Sequence, residues 1–253
     1  MPVASGIYYS LSELGQPGST PIILIHGAGG SCLGWHTRIR RMPGFNIYSL
    51  DLPGHGKSGG EGRQSVQAYS EDIQRFMQSA GIYQAVLAGH SLGGMIALQT
   101  AASYPERIAG LVLVSCAAYC PIPEHIVQGL INSLTYSQSM DWLIDHLAGG
   151  SEGIRWAEAT RRSVEQTRRG VLYGDLAACH AADLSGLAAE VQTRALVCCG
   201  DRDKFFPYQT ALYLARSLPN ARSRVFSGCG HLLPLECPDL LAAELQAFIL
   251  ESN

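Results

Sequence analysis

Ser91 lies in the stretch Gly89-His90-Ser91-Leu92-Gly93-Gly94. An apolar run, Ala85-Val86-Leu87-Ala88, leads into it, and a helix-like run, Met95 to Ala102, follows. A serine in G-x-S-x-G at a strand-to-helix turn has the pattern of a nucleophile elbow. Such a turn is too sharp for side chains two residues before and two after the serine, and glycine has no Cβ to clash. It lifts the hydroxyl clear of the sheet and places it at a helix N-terminus, where unpaired N–H groups favour developing negative charge. By itself the pentapeptide also fits a tight turn with an incidental serine, so the choice rests on the rest of the chain.

Serine is a weak nucleophile at neutral pH and needs a base within hydrogen-bond reach, itself oriented by an acid. Two later loops offer both. Gly200-Asp201-Arg202-Asp203 follows the apolar run ending in Cys198-Cys199, and Gly228-Cys229-Gly230-His231 follows Arg222 to Phe226. The order is serine, acid, histidine. Asp201 and Asp203 both qualify as the acid. Among the other histidines, His26 reads as a brace for its own loop, His55 as a turn residue, and His90 as pointing away across the elbow if the strand alternates. Cys229 reads as a small packing residue.

These side chains require a scaffold of alternating strands and helices. Ile22-Ile23-Leu24-Ile25, Asn46 to Leu50, Ala85 to Ala88, Leu111 to Val114, Arg194 to Cys199 and Arg222 to Phe226 read as strands, and apolar runs of this kind fit buried parallel strands. Val66, Tyr69, Ile73, Phe76 and Met77 have helical spacing, and a final helix is expected from Pro238 with Leu241, Leu245 and Phe248 or Ile249 facing inward. Between Ser115 and Arg194 no core strand is evident; the segment reads as helical, with loops at Pro121-Ile122-Pro123 and Gly149-Gly150-Ser151. It is expected to pack over the C-terminal edge of the sheet, where open α/β sheets bind ligands.

Composition limits the partners. Of 253 residues, 47% are hydrophobic and 15% charged, which fits a globular chain with a large core. A formal net charge of -3 gives no basis for a nucleic-acid partner. The first residues have no secretory pattern and no apolar run is long enough to span a bilayer, so no membrane partner is expected. The eight cysteines show no zinc-type spacing and read as reduced core residues, which suggests a cytoplasmic protein.

Taken together the motifs resemble the α/β-hydrolase superfamily, and in particular its capped serine hydrolases. His26-Gly27-Ala28-Gly29-Gly30 is similar to the family's oxyanion loop, and Asp51-Leu52-Pro53-Gly54-His55-Gly56-Lys57-Ser58 to its D-x-P-G-x-G-x-S loop. Gly200 to Pro207 is similar to its acid loop, and Gly230-His231 through Glu236-Cys237-Pro238 to its closing motif. The resemblance implies an α/β-hydrolase fold: a mostly parallel eight-stranded sheet flanked by helices, with a helical cap inserted after the sixth strand. Residues 1–118 and 191–253 would form the core and 119–190 the cap.

The same resemblance implies roles. Ser91 is the nucleophile, His231 the general base and then acid, and Asp203 the orienting acid. The backbone N–H groups of Ala28 and Leu92 form the oxyanion hole. Gly27 and Trp142 are expected to contact substrate, with no metal and no organic cofactor. Serine at the elbow points to acyl transfer, first of all to hydrolysis of carboxylic esters of small or medium acyl chains. Thioester or C–C bond hydrolysis, cofactor-free lyase or haloperoxidase chemistry, and a non-catalytic small-molecule receptor are the alternatives. Trp142, Leu143, Ile144 and Leu147, with Tyr136 and Trp156, could line an acyl pocket or bind the cap to the body. Arg161, Arg162, Arg168 and Arg169 read as two pairs on one helix face, either a docking face for an acidic carrier protein or surface ion pairs with Glu158 and Glu165. A monomer or small homo-oligomer is expected.

Overall fold

The computed structural model describes residues 2–251, with residues 150–152 by backbone alone. Met1, Ser252 and Asn253, the ends of the expected core, lie outside the described residues. The strands are β1 (Val3–Ala4), β2 (Ile7–Glu13), β3 (Ile22–Ile25), β4 (Asn46–Leu50), β5 (Ala85–His90), β6 (Ile108–Val114), β7 (Ala195–Gly200) and β8 (Ala221–Phe226). They form one eight-stranded sheet in the order β1-β2-β4-β3-β5-β6-β7-β8. β2 runs antiparallel to β1 and β4, and every other pairing is parallel.

The helices are α1 (Thr37–Arg40), α2 (Val66–Ser79), α3 (Leu92–Ser103), α4 (Glu124–Gly129), α5 (Tyr136–Leu147), α6 (Gly150–Gln166), α7 (Arg169–Ala181), α8 (Ser185–Ala188), α9 (Tyr208–Ser217), α10 (Leu233–Glu236) and α11 (Pro238–Leu250). Alternation along the strands divides the core into two layers. Ile23 and Ile25 join α2, α3 and the inserted helices on one face, while Ile22 and Leu24 meet α1 and α11 on the other. β3, β5 and β7 are buried throughout, as central strands covered on both faces must be. β2 is only partly buried and β8 largely exposed, because they lie toward the sheet edges. This explains why β2 gives little apolar signal in the sequence. Helices α4 to α8 fall between β6 and β7, and no named strand interrupts them among the described residues. Architecture and insertion point are those implied by the resemblance to α/β hydrolases.

Two expectations need correction. The loop foreseen at Gly149-Gly150-Ser151 is shorter, since α6 begins at Gly150. The four arginines do not share a helix: α6 ends at Gln166, and Arg168 caps the start of α7. Each is engaged: Arg161 with Asp141 and Glu165, Arg162 with Glu158, Arg168 with the Gly60 carbonyl, and Arg169 over the Tyr136 ring. The cluster therefore joins the insertion internally and to the body, and presents no common basic face.

The turn from β5 into α3 is the most constrained point of the sheet. Ser91 sits at φ 55°, ψ −121°, a conformation that costs a residue with a Cβ on the order of 1–3 kcal/mol and persists only where the surroundings enforce it. A Cβ on Gly89 would lie 2.0 Å from the Gly93 carbonyl oxygen, and one on Gly93 would lie 2.3 Å from that of Ile25. The start of α3 is thus packed backbone to backbone against the ends of β3 and β5 around Ser91. We expect Gly93→Ala to lose more than about 3 kcal/mol in urea unfolding or to fail to fold. Gly59→Ala, with nothing within 4 Å of the added atom, should stay within about 0.5 kcal/mol of wild type.

Candidate active site

The loops at the C-terminal ends of β3, β5, β7 and β8 bring the expected residues to one place. His231, following β8, is 1% exposed and its Nδ1 lies 3.0 Å from Asp203 Oδ2 and 3.2 Å from Oδ1. Asp203 Oδ1 also accepts from the Phe205 and Phe206 amides, each at 2.8 Å. These donors fix the carboxylate, which in turn assigns the Nδ1 proton of His231 and leaves Nε2 unprotonated in the neutral ring. Ser91 and His231 both line one cavity of about 460 Å³. Among the described residues no hydrogen bond yet joins the Ser91 hydroxyl to the imidazole; such contacts commonly tighten only when substrate is bound. Asp201 is turned elsewhere, accepting from Gly228 N–H and the Ser227 hydroxyl.

Ala28 and Gly27 line the same cavity, and a Cβ on Gly27 would lie 3.1 Å from Ser91 Cβ. Among the described residues, neither the Ala28 nor the Leu92 amide donates to a protein acceptor. The Leu92 amide is one of the unsatisfied donors of a helix N-terminus, while its side chain is buried in the core.

Three buried groups hold this arrangement. His26 donates Nδ1–H to the Gly27 carbonyl at 2.7 Å and accepts the Leu52 amide on Nε2 at 3.0 Å, so it is neutral and braces the loop before Ala28. His90 does not point away, as alternation suggests; its ring borders the cavity and Nε2–H donates to the His231 carbonyl at 2.8 Å. Its neighbour in the sequence thus carries the hydroxyl while His90 itself anchors the His231 loop. Glu236 accepts from the Gly230 and Leu232 amides at 2.7 and 2.9 Å, gripping the backbone on both sides of His231. Burial raises its pKa, although both amides oppose that. Sequence reasoning included Glu236 in a motif but gave it no role.

The cysteine reading also changes. Cys229 and Cys237 form a disulfide across the His231 loop, while the other six cysteines are free and buried. Reduced cysteines therefore no longer argue for a reducing compartment. No helix among the described residues is long and apolar enough to cross a membrane.

The inserted helices supply the cavity's apolar wall: Leu143, Ile144 and Leu147 from α5, Trp156 and Val164 from α6, and Leu172 from α7. Trp142 does not line it. At about 100° per residue, position 142 falls off the face shared by 143, 144 and 147. Its ring stacks on His146 at 3.7 Å and meets the edge of Phe205, which itself packs 4.9 Å from the His231 ring. Trp142 thus packs on His146 and Phe205 and not on the cavity, so the expected substrate contact is not made.

Burial first, then neighbouring imidazoles, push His26 and His90 down to about 3 from 6.5. Between those values the unfolded chain binds more protons than the folded one, so stability drains as pH falls below about 6.5. We expect wild type to lose more stability than His90→Gln between about pH 7 and pH 5, measured by urea midpoints. Equal losses would contradict a neutral buried ring at 90.

The profile of the alpha/beta hydrolase family matches residues 22–244. A 2-hydroxy-6-oxo-6-phenylhexa-2,4-dienoate hydrolase of Burkholderia cepacia is 28% identical, covering 90% of this chain and 86% of that protein. A pimeloyl-[acyl-carrier protein] methyl ester esterase of Yersinia enterocolitica is also 28% identical, covering 93% and 95%. An enol-lactonase structure from Burkholderia xenovorans LB400 superposes with a TM-score of 0.84 at 23% identity, over 96% of each chain.

Proposed function

The chain belongs to the alpha/beta hydrolase family, and from that premise we propose that it is a serine esterase acting on neutral esters of small or medium acyl chains. The observation that carries this reading is His231, held by Asp203, facing the same apolar cavity as Ser91 on its strained turn. Residues 119–190 act as a cap whose α5, α6 and α7 close that cavity.

In the proposed reaction Ser91 Oγ attacks the ester carbonyl carbon while its proton passes to His231 Nε2. Asp203 holds the ring and balances the imidazolium. The oxyanion is received by the free amides of Ala28 and Leu92, donors of a kind worth about 10²–10³ in rate each. Collapse expels the alkoxide, which takes the proton from His231 and leaves as the alcohol. A water then gives its proton to His231 and attacks the acyl-enzyme, and the second collapse frees the carboxylic acid and returns the proton to Ser91.

The same catalytic groups could serve C–C cleavage, the activity named for the Burkholderia cepacia relative. The cavity wall favours an uncharged acyl chain over a dienoate, whose carboxylate needs a cationic partner. Arg162 borders the cavity but is already paired with Glu158 at 3.1 Å. The test is hydrolysis of a p-nitrophenyl ester series from acetate to octanoate. Turnover should peak at short or medium chains, and Ser91→Ala should lower kcat by more than about 10³-fold. Absence of turnover on every chain length, in protein whose Ser91 still reacts with a phosphonate, would overturn the esterase reading in favour of a specialised substrate.

A further inference from the structure

Asp175 lies in the middle of α7, is completely buried, and has no part in the proposed reaction. Its Oδ1 accepts the Tyr69 hydroxyl at 2.5 Å. Its Oδ2 accepts the Gly29 amide at 2.8 Å and faces His55 Nε2 at 2.8 Å. Nδ1 of His55 faces the Pro53 carbonyl at 3.1 Å and so carries a proton, which leaves the proton between Nε2 and Asp175 as the one that makes the pair ionic. Burial works against a charged His55, but the Asp175 charge and hydrogen bond outweigh it and its pKa is raised. A buried carboxylate with this many donors is fixed in place, and removing one partner of such a pair is strongly destabilising.

The partner that matters for catalysis is Gly29. It directly follows Ala28, and it stands at φ 62°, where a Cβ would lie 2.8 Å from Leu172 and 3.2 Å from Val164. Its carbonyl is also taken, by the Thr167 hydroxyl at 3.0 Å. Thr167 caps the end of α6. Both polar groups of this residue therefore end on the insertion and neither on the sheet, while His26 braces the loop from the other end through Gly27.

We propose that Asp175 and Thr167 are positioning residues: by binding the N–H and C=O of Gly29 they make the inserted helices set the orientation of the neighbouring Ala28 amide toward the Ser91 hydroxyl. The insertion then has two tasks, closing the acyl cavity and completing the oxyanion hole. A shift of the loop by a fraction of an ångström weakens a donor that acts only on the transition state, so the loss falls on kcat and not on substrate binding.

This inference rests on the serine-esterase reading, and the experiment separates the two. Wild type, Thr167→Val, Thr167→Ser and Asp175→Asn are compared by kcat and KM on p-nitrophenyl butyrate, by the rate of phosphonate labelling of Ser91, and by thermal melting. Thr167→Val is close in shape and should fold. The expected result is a fall of about 10-fold or more in kcat and in labelling rate, with KM within about 3-fold of wild type. Thr167→Ser, which keeps the hydroxyl, should recover kcat. Folded Asp175→Asn should show the same kcat-selective loss; if it does not fold, Thr167→Val alone decides. Wild-type kcat in a folded variant, whatever its melting temperature, overturns the positioning role of that residue. If wild type itself neither hydrolyses the ester nor labels, it is the esterase reading that fails.

Discussion

The backbone at Ser91 is the constraint on which the site depends. A residue with a side chain is held at φ 55° because β3 and the start of α3 approach too closely for anything but glycine at 89 and 93. That approach aligns the ends of the parallel strands, and the loops that leave them inherit a common origin. The hydroxyl, the imidazole loop and the Gly27–Gly30 loop are then separated only by short lengths of chain. Strain of this kind survives where packing over-determines it, and here the fully buried strands β3 and β5 provide that packing.

Around this point the histidines divide by charge. His26 and His90 are neutral props whose ring nitrogens serve backbone groups, and burial keeps them so. His55 is pulled the other way by a buried carboxylate. Only His231 combines an acid on one nitrogen with access to the cavity on the other side of the ring. One residue type thus supplies loop brace, loop anchor, ionic tie and, in the proposed reaction, base, according to which acceptor its neighbours present.

Much of this was legible in the chain. The strands that read clearly are buried on both faces, so their residues are apolar without interruption. The loops that read clearly did so through motifs that resemble those of the alpha/beta hydrolases, with glycines and acids at the family's spacing. β2 was not legible, since near the sheet edge its residues are half covered and mixed in character. Trp142 was misplaced because it adjoins Leu143 and Ile144 in the chain, whereas a step of about 100° per residue turns it off the face they share with Leu147. The Cys229–Cys237 pair escaped because a separation of 8 residues has no signature until the loop's path is known. Asp175 gave one signal, a lone acid between the apolar Leu172 and Leu176 of α7. What it meets, Gly29, lies 146 residues away, and no local pattern carries that distance.

The central claim is that the hydroxyl of residue 91 becomes covalently attached to the acyl group during turnover. It is tested most directly by mixing the protein with p-nitrophenyl hexanoate, quenching in acid within milliseconds, and mapping the adduct by peptide mass spectrometry. The account predicts a hexanoyl group on Ser91 that appears with the first burst of nitrophenol and disappears once substrate is consumed. Turnover with no acyl group on Ser91 at any quench time, or with the group on another residue, would contradict it.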